Sequence, residues 1–192
     1  MKRRRPFRPQ RAPIFIGCEG ESERGYVAFL ARLVEEASLA VHLDPVLLQP
    51  GGGDPLAIVE RGIQRLAERK RKRQIAYQTQ FILLDRDKWG LVPARDAQIA
   101  AIAARAGLVL VWQAPCHEAM LLRHLENCAA LRPPSTALAE AQIAQRWPGY
   151  EKPMDAVDLA QRLDRAAVHR AVAVEPDLGR LIAAIGLAEG DD

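Results

Sequence analysis

The sequence predicts an α/β protein with one core, built on a mainly parallel β-sheet that is flanked by helices. Short apolar runs alternate with segments of helical periodicity, which is the order typical of parallel strands joined by crossover helices. The run Phe81–Leu84 is apolar at every position, which indicates a strand buried on both faces. A length of 192 residues suits one substantial core with an appendage.

Three segments are predicted along the chain. Residues 1–12 contain two prolines and no periodicity, which predicts a flexible basic arm. Residues 13–130 form the predicted α/β core. Residues 131–192 show no strand pattern, and we predict a helical extension that packs on the core.

The first half of the core follows a strand, helix, strand, helix order. Ile14–Cys18 predicts a strand, and Ser22 is a candidate cap for an amphipathic helix after it. Residues 41–49 form a second apolar segment, in which Pro45 indicates an edge strand or a bend. The glycine run 51–53 is interpreted as a plain loop rather than a phosphate cradle, because no Lys-Ser or Lys-Thr follows it.

Clear start and stop signals mark the later helices. Asp54 and Pro55 predict the N-cap and first position of a helix that ends in a basic run. Gly107 closes a predicted helix, and residues 108–112 predict a fourth strand. The remaining predicted helices are Pro93–Ala106 in the core, and Ala137–Arg146 capped by Ser135, Met154–Val174 and Pro176–Leu187 in the extension.

Composition excludes several classes of protein. No apolar run approaches the roughly 20 residues that span a bilayer, and no apolar signal segment is present, so we expect a soluble cytoplasmic protein with no membrane contact. Three widely spaced cysteines without a CxxC pair predict reduced thiols rather than a disulfide framework or a zinc site. The four histidines show no partnered spacing and are interpreted as structural or surface residues.

Two blocks of cations predict contact with DNA or RNA. Residues 1–13 carry six cations and no acid, so the remainder of the chain has a net charge of −3. Such blocks attract polyanions through counterion release, although a solvated arm and favourable cations at a helix C-terminus remain alternatives. The candidate nucleic-acid-binding residues are Arg3, Arg4, Arg5, Arg69, Lys70, Arg71, Lys72 and Arg73.

Carboxylates follow three of the predicted strands. Glu19 follows the first strand, Asp85 and Asp87 follow the central one, and Glu118 comes soon after the fourth. Carboxyl ends of parallel strands meet at one edge of a sheet, and carboxylate oxygens suit Mg²⁺ or Mn²⁺. This set fits metal-assisted phosphodiester hydrolysis, whereas a solvated turn is the alternative for the Asp-Arg-Asp tripeptide alone.

The motifs that contain these residues resemble those of a broad domain family and, more narrowly, those of a smaller protein family. A strand followed by Glu19-Gly20, and later a strand ending in Asp85 and Asp87, resemble the Toprim domain of primases, topoisomerases and overcoming-lysogenization-type nucleases. The chain is more narrowly similar to the RloB-like family over about residues 13–170. That similarity lies in the stretches Cys18–Glu23, Asp85–Asp87, Ala114–Glu118 and Tyr150–Lys152, although the family pattern usually has Asn and Phe where this chain has Ala114 and His117.

The resemblance implies a Toprim-like fold and a nuclease in bacterial phage defence by abortive infection, often beside an ATPase partner. Glu19, Asp85 and Asp87 would bind Mg²⁺ or Mn²⁺, and Glu118 and Lys152 would complete the catalytic set. The alternative is a non-catalytic Toprim-like sensor or scaffold that binds nucleic acid or a phage protein and regulates the ATPase. The sequence leaves open DNA or RNA as substrate and a homo-oligomeric state.

Overall fold

A four-stranded, all-parallel sheet forms the centre of the computed structural model, which describes residues 11–49, 53–74 and 76–188, without the side chain of Arg73. Its strands lie in the order β2-β1-β3-β4. The prediction of a parallel α/β fold is confirmed, and the arrangement is Rossmann-like. The strands are Ala12–Cys18 (β1), Val41–Leu47 (β2), Thr79–Asp85 (β3) and Val109–Gln113 (β4).

Eight helices connect and cover these strands within the described residues. In the core, α2 starts at the predicted N-cap Asp54, and α3 ends at Gly107, whose φ of 68° is the left-handed conformation that glycine favours. The helices are Glu21–Glu36 (α1), Pro55–Arg73 (α2), Pro93–Ala106 (α3), His117–His124 (α4), Thr136–Arg146 (α5), Ala156–Ala160 (α6), Arg165–Val172 (α7) and Pro176–Ile185 (α8).

Two local predictions were wrong. Residues 154–174 were expected to form one helix, but Asp164 caps a new helix by accepting a hydrogen bond from the Ala167 amide at 2.8 Å, so the segment divides into α6 and α7. Ser22 was expected to cap α1, but the cap is Gly20. The Glu23 carboxylate accepts a hydrogen bond from the Gly20 amide at 2.9 Å, and this interaction starts the helix earlier.

The sheet buries both faces, as the apolar run in β3 predicted. Successive strand residues point to opposite faces, so Ile14 and Ile16 lie in one hydrophobic cluster and Phe15 in another. Helices α1 and α4 to α8 contribute to the first cluster, and α2 and α3 to the second. Pro45 lies in β2 at the edge of the sheet, as expected from its missing N–H group.

The segment after residue 130 shares the first cluster with the core. Arg123 on α4 is 1% exposed, forms an ion pair with Glu175 and donates a hydrogen bond to the Ala119 carbonyl at 2.7 Å. Gly25 on α1 touches the loop before α6, because a Cβ at this position would lie 2.0 Å from the Met154 carbonyl oxygen. The division at residue 130 stays a prediction.

Cys18, Cys116 and Cys128 are buried free thiols, as predicted. No helix in the described ranges has the length and apolar character needed to cross a bilayer.

Candidate active site

A cavity of about 820 Å³ lies at the carboxyl ends of the strands. Glu19 follows β1, Asp85 ends β3 and Glu118 is in the first turn of α4, so the topology brings all three carboxylates to its wall. Lys152 reaches the same cavity from the loop before α6. Four of the five predicted catalytic residues therefore line one cavity.

Glu19 and Asp85 are joined through backbone groups. The Asp85 amide donates a hydrogen bond to Glu19 Oε2 at 3.1 Å. The His117 amide, at the first position of α4, donates to Asp85 Oδ1 at 2.9 Å. Free N–H groups at a helix N-terminus attract negative charge, so α4 fixes the orientation of the Asp85 carboxylate.

Burial and crowding raise the pKa values of both carboxyl groups. Burial, followed by the charges of Glu23, Glu19, Glu118 and Asp87, raises the pKa of Asp85 to about 9. Burial also raises the pKa of Glu19 to about 7, against the lowering effect of its hydrogen bond from the Asp85 amide. These two carboxylates therefore lie in surroundings that supply too little positive charge to keep both ionised at neutral pH.

Glu118 and Lys152 form an ion pair at the rim of the cavity. Lys152 Nζ lies 3.3 Å from Glu118 Oε1 and also contacts Glu140. Burial opposes ionisation of Glu118, but a backbone N–H group, His117 and Lys152 together lower its pKa. Tyr150 donates a hydrogen bond to the same Glu118 oxygen at 3.4 Å. Lys152 remains half exposed, so it combines a fixed position with access to a ligand.

Two buried residues that line the cavity were not predicted as site residues. Glu23 is 5% exposed, and its Oε1 lies 3.9 Å from His117 Nδ1. His117 was interpreted as structural or surface. It is buried, and its Nδ1 lies 2.8 Å from Gln113 Nε2. The spacing from Gly20 to Glu23 could have revealed the glutamate, because a carboxylate three residues after a cap is common at a helix start.

Three further residues, Asp87, Gly53 and Lys88, lie in loops near the cavity, and of these only Asp87 was predicted as a site residue. Asp87 is exposed and does not line the cavity, although its charge raises the pKa of both Glu19 and Asp85. A Cβ on Gly53, at φ +66°, would lie 3.1 Å from Lys88 Nζ and 3.8 Å from Glu19 Oε1. The end of the glycine loop and Lys88 thus stand beside Glu19. Gly51 and Gly52 lie outside the described residues.

Comparison with protein-family models identifies the chain. The model described as RloB-like protein matches residues 14–178. The chain belongs to the RloB-like family. Comparisons with curated proteins and with solved structures found no match.

The acidic cavity of this RloB-like chain suits a cation that completes its coordination from other molecules. In the described residues, no group of three or more His, Cys, Asp or Glu side chains is arranged to hold a metal ion. Mg²⁺ is commonly bound by one or two carboxylates, with waters and substrate phosphates as its other ligands. The Glu19–Asp85 pair and its shortage of positive charge therefore fit Mg²⁺ or Mn²⁺.

The basic cluster of the RloB-like chain lies at the other edge of the sheet. Lys70, Arg71 and Lys72 are exposed at the end of α2, roughly 20 Å along the helix axis from Ile58, which lines the cavity. Arg69 Nη1 lies 2.8 Å from Asp44 Oδ1, so part of the cluster is paired within the protein. The arm residues Arg3, Arg4 and Arg5 lie outside the described residues.

Proposed function

We propose that this RloB-like protein is a Toprim-like, Mg²⁺-dependent or Mn²⁺-dependent nuclease that hydrolyses phosphodiester bonds of DNA or RNA. The observation that carries the proposal is the half-buried Glu19–Asp85 pair, in which the Asp85 amide donates a hydrogen bond to Glu19 Oε2 at 3.1 Å, in a cavity with Lys152 at its rim. Two carboxylates in this position need a cation, and a cationic side chain nearby suits an anionic substrate.

Glu19 and Asp85 would hold the metal. Asp87 is proposed as a third ligand because its charge raises the pKa of both carboxyl groups. The metal would supply a water of lowered pKa and would neutralise charge on the reacting phosphate. The N-terminus of α4 holds Asp85 in place through the His117 amide. Lys152, oriented by Glu118, would bind the phosphate. The alternative role for Glu19 is acceptance of a proton from water, with the metal then held by Asp85 and Asp87.

The biological role follows the family resemblance. We propose that the nuclease acts in bacterial phage defence by abortive infection, in the cytoplasm, with an ATPase as its partner. The cations at the end of α2 and in the N-terminal arm would add affinity for nucleic acid without sequence preference, because they contact phosphates.

A second function is favoured by one feature of the cavity. Within the described residues no three-ligand metal site is formed, and Lys152 is already paired with Glu118 and Glu140. A protein that binds nucleic acid or a phage protein and regulates an ATPase needs no completed metal site. We therefore propose a non-catalytic sensor or scaffold as the alternative.

The deciding experiment incubates the purified full chain with labelled single-stranded and double-stranded DNA and RNA, in Mg²⁺, in Mn²⁺ and in chelator. We expect cleavage only with metal, and a loss of at least about 100-fold in Asp85→Asn, since even outer-shell changes at metal sites cost 10-fold to 100-fold. Glu36→Gln, at the exposed end of α1, is the matched loss of one carboxylate and should cleave normally.

The same assay should be repeated with the candidate ATPase and its nucleotide. Cleavage that persists in chelator, or that is equal in Asp85→Asn and wild type, would rule out the proposed nuclease site. Metal-independent binding of nucleic acid without cleavage under every condition would favour the sensor or scaffold.

A further inference from the structure

A second cavity, of about 590 Å³, opens on the face formed by the ends of α4, α5 and α7. Three arginines line it: Arg146 ends α5, Arg170 lies on α7, and Arg162 belongs to the loop between α6 and α7. We call this cavity the arginine pocket. It is separate from the acidic cavity, since the first residues of α4 line the acidic cavity and the last residue, His124, lines the arginine pocket.

In the part of the chain that the structure describes, these arginines lack close carboxylate partners, although two carboxylates, Glu126 and Asp164, also line the pocket. Within the described residues, none of the three guanidinium groups forms an ion pair. A second cluster of cations gives the contrast, because in the groove beside β2 Arg24 pairs with Glu21, Arg65 with Glu68 and Arg69 with Asp44. The arginines in the groove are therefore ion-paired, whereas the three arginines of the arginine pocket are not paired with any described residue.

Helix capping accounts for only part of the donor capacity in the pocket. Arg170 Nε donates to the His124 carbonyl at 2.9 Å, and Arg162 Nη2 donates to the Arg146 carbonyl at 2.8 Å. Each guanidinium has five N–H donors, so several donors of each group remain for a ligand. Arg162 is also held against Trp147, with its Cζ 5.7 Å from the ring centroid.

We propose that the arginine pocket binds a nucleoside phosphate. Arginine binds phosphate oxygens through two parallel N–H bonds, and three guanidinium groups without an ion-pair partner among the described residues suit a compact polyphosphate. Glu126 and Asp164 also line the pocket and can accept hydrogen bonds from hydroxyl or amino groups of the same ligand. The volume lies within the range of small-molecule sites, and this mixture of donors and acceptors suits a nucleotide better than a continuous nucleic-acid backbone.

The test measures binding of ATP and of inorganic tripolyphosphate to the full chain by isothermal titration calorimetry. The experiment is done in chelator, so that metal-mediated binding in the acidic cavity makes no contribution. We expect both ligands to bind, ATP more tightly, and Arg162→Gln to weaken both by at least about tenfold, as expected for the loss of charged hydrogen bonds. Arg162→Lys should recover only part of the affinity, because lysine lacks the planar fork.

Arg65→Gln, in the groove where the arginines are paired, is the matched control and should bind both ligands as the wild type does. Circular dichroism and thermal unfolding would confirm that each variant is folded. Arg146→Gln is a second variant of the arginine pocket and should also weaken binding of both ligands. Failure of ATP and tripolyphosphate to bind would overturn the proposal. So would an equal loss in Arg65→Gln, a loss of stability in Arg162→Gln without a change in affinity, or binding of a single-stranded oligonucleotide alone.

Discussion

The carboxyl edge of the sheet gathers carboxylates into a cavity, whereas the amino edge carries the cations at the end of α2. At the carboxyl edge, Glu19 and Asp85 are half-buried beside other acids, and their pKa values are raised. At the amino edge, Arg69 is paired with Asp44, and Lys70 to Lys72 are exposed to solvent. Ionising the crowded carboxylates at the carboxyl edge costs free energy, whereas the paired or exposed cations at the amino edge are charged at almost no cost.

This difference separates two properties of the proposed nuclease. Crowded charges with little solvent contact destabilise a fold and cluster at functional sites, while exposed cations raise the affinity for any polyanion. Because strand direction places the two groups at opposite edges, we expect substitutions at one edge to change turnover and substitutions at the other to change binding.

The largest expected effect tests this separation directly. The triple variant Lys70→Gln, Arg71→Gln, Lys72→Gln should keep its kcat but bind nucleic acid more weakly, whereas Asp85→Asn should lose at least about 100-fold in kcat. Each lost phosphate contact should reduce the slope of log affinity against log salt by about 0.7 to 0.9. Steady-state cleavage at several salt concentrations gives both quantities. A fall in kcat in the triple variant would show that the two edges act together.

The contact between α1 and the loop before α6 gives the next prediction. Gly25→Ala forces the Met154 carbonyl away from α1, because the new Cβ would lie 2.0 Å from that oxygen. We expect a loss of about 1–3 kcal/mol in the free energy of unfolding, the usual cost of overpacking, together with slower cleavage because Lys152 lies in the displaced loop.

Gly179→Ala is the matched control for this substitution. Gly179 is inside α8, where the nearest atom to a new Cβ is Val172 Cγ1 at 3.5 Å. Alanine there should be neutral or should stabilise the helix by up to about 1 kcal/mol. Urea unfolding of both variants measures the two changes, and equal stability in the two would mean that the Gly25 contact is not tight in solution.

The smallest expected effect is a dependence of stability on pH without metal. The pKa of Asp85 is raised from 3.8 to about 9, so the folded state holds a proton that the unfolded state has lost. The protonated Asp85 carboxyl group stabilises the fold fully below pH 3.8, and this stabilisation is lost as the pH rises through 9. Raising the pH from 5 to 8.5 in chelator should therefore lower the free energy of unfolding.

Asp85→Asn isolates this contribution. The variant should lose less stability than the wild type over the same pH interval, and at pH 8.5 it should be more stable by about 1–2 kcal/mol, the usual size of a single-residue effect. Mg²⁺ should raise the melting temperature of the wild type at pH 8.5 and leave that of Asp85→Asn nearly unchanged. A variant that unfolds where the wild type stays folded would assign Asp85 a structural role.

Much of the fold could be predicted because its signals are local. The apolar run ending at Asp85, the proline and aspartate at the start of α2, and Gly107 each act within a few residues of their own position. The division of residues 154–174 was missed because helical periodicity continues through it. A single hydrogen bond from Ala167 to Asp164 decides the break, and aspartate also occurs on exposed helix surfaces.

The candidate site could be predicted only as far as strand ends identify it. Glu19, Asp85 and Glu118 lie at or shortly after the ends of strands, so topology alone brings them together. The burial of Glu23 and His117 depends on how α1 and α4 pack on the same face of the sheet. No local sequence pattern predicts this packing. Asp87 was predicted to line the site but does not, because it lies two residues beyond the end of β3 and its side chain is exposed.

The buried ion pair between Arg123 and Glu175 has a consequence for synthesis of the chain. The partners are 52 residues apart, so at 5–20 residues per second roughly 3–10 seconds pass between their translation. Until Glu175 leaves the ribosome, the Arg123 guanidinium has no carboxylate with which to be buried, and α4 cannot complete its packing. The helix that orients Asp85 is therefore finished late, and a nascent chain stalled before residue 175 should lack an assembled acidic cavity.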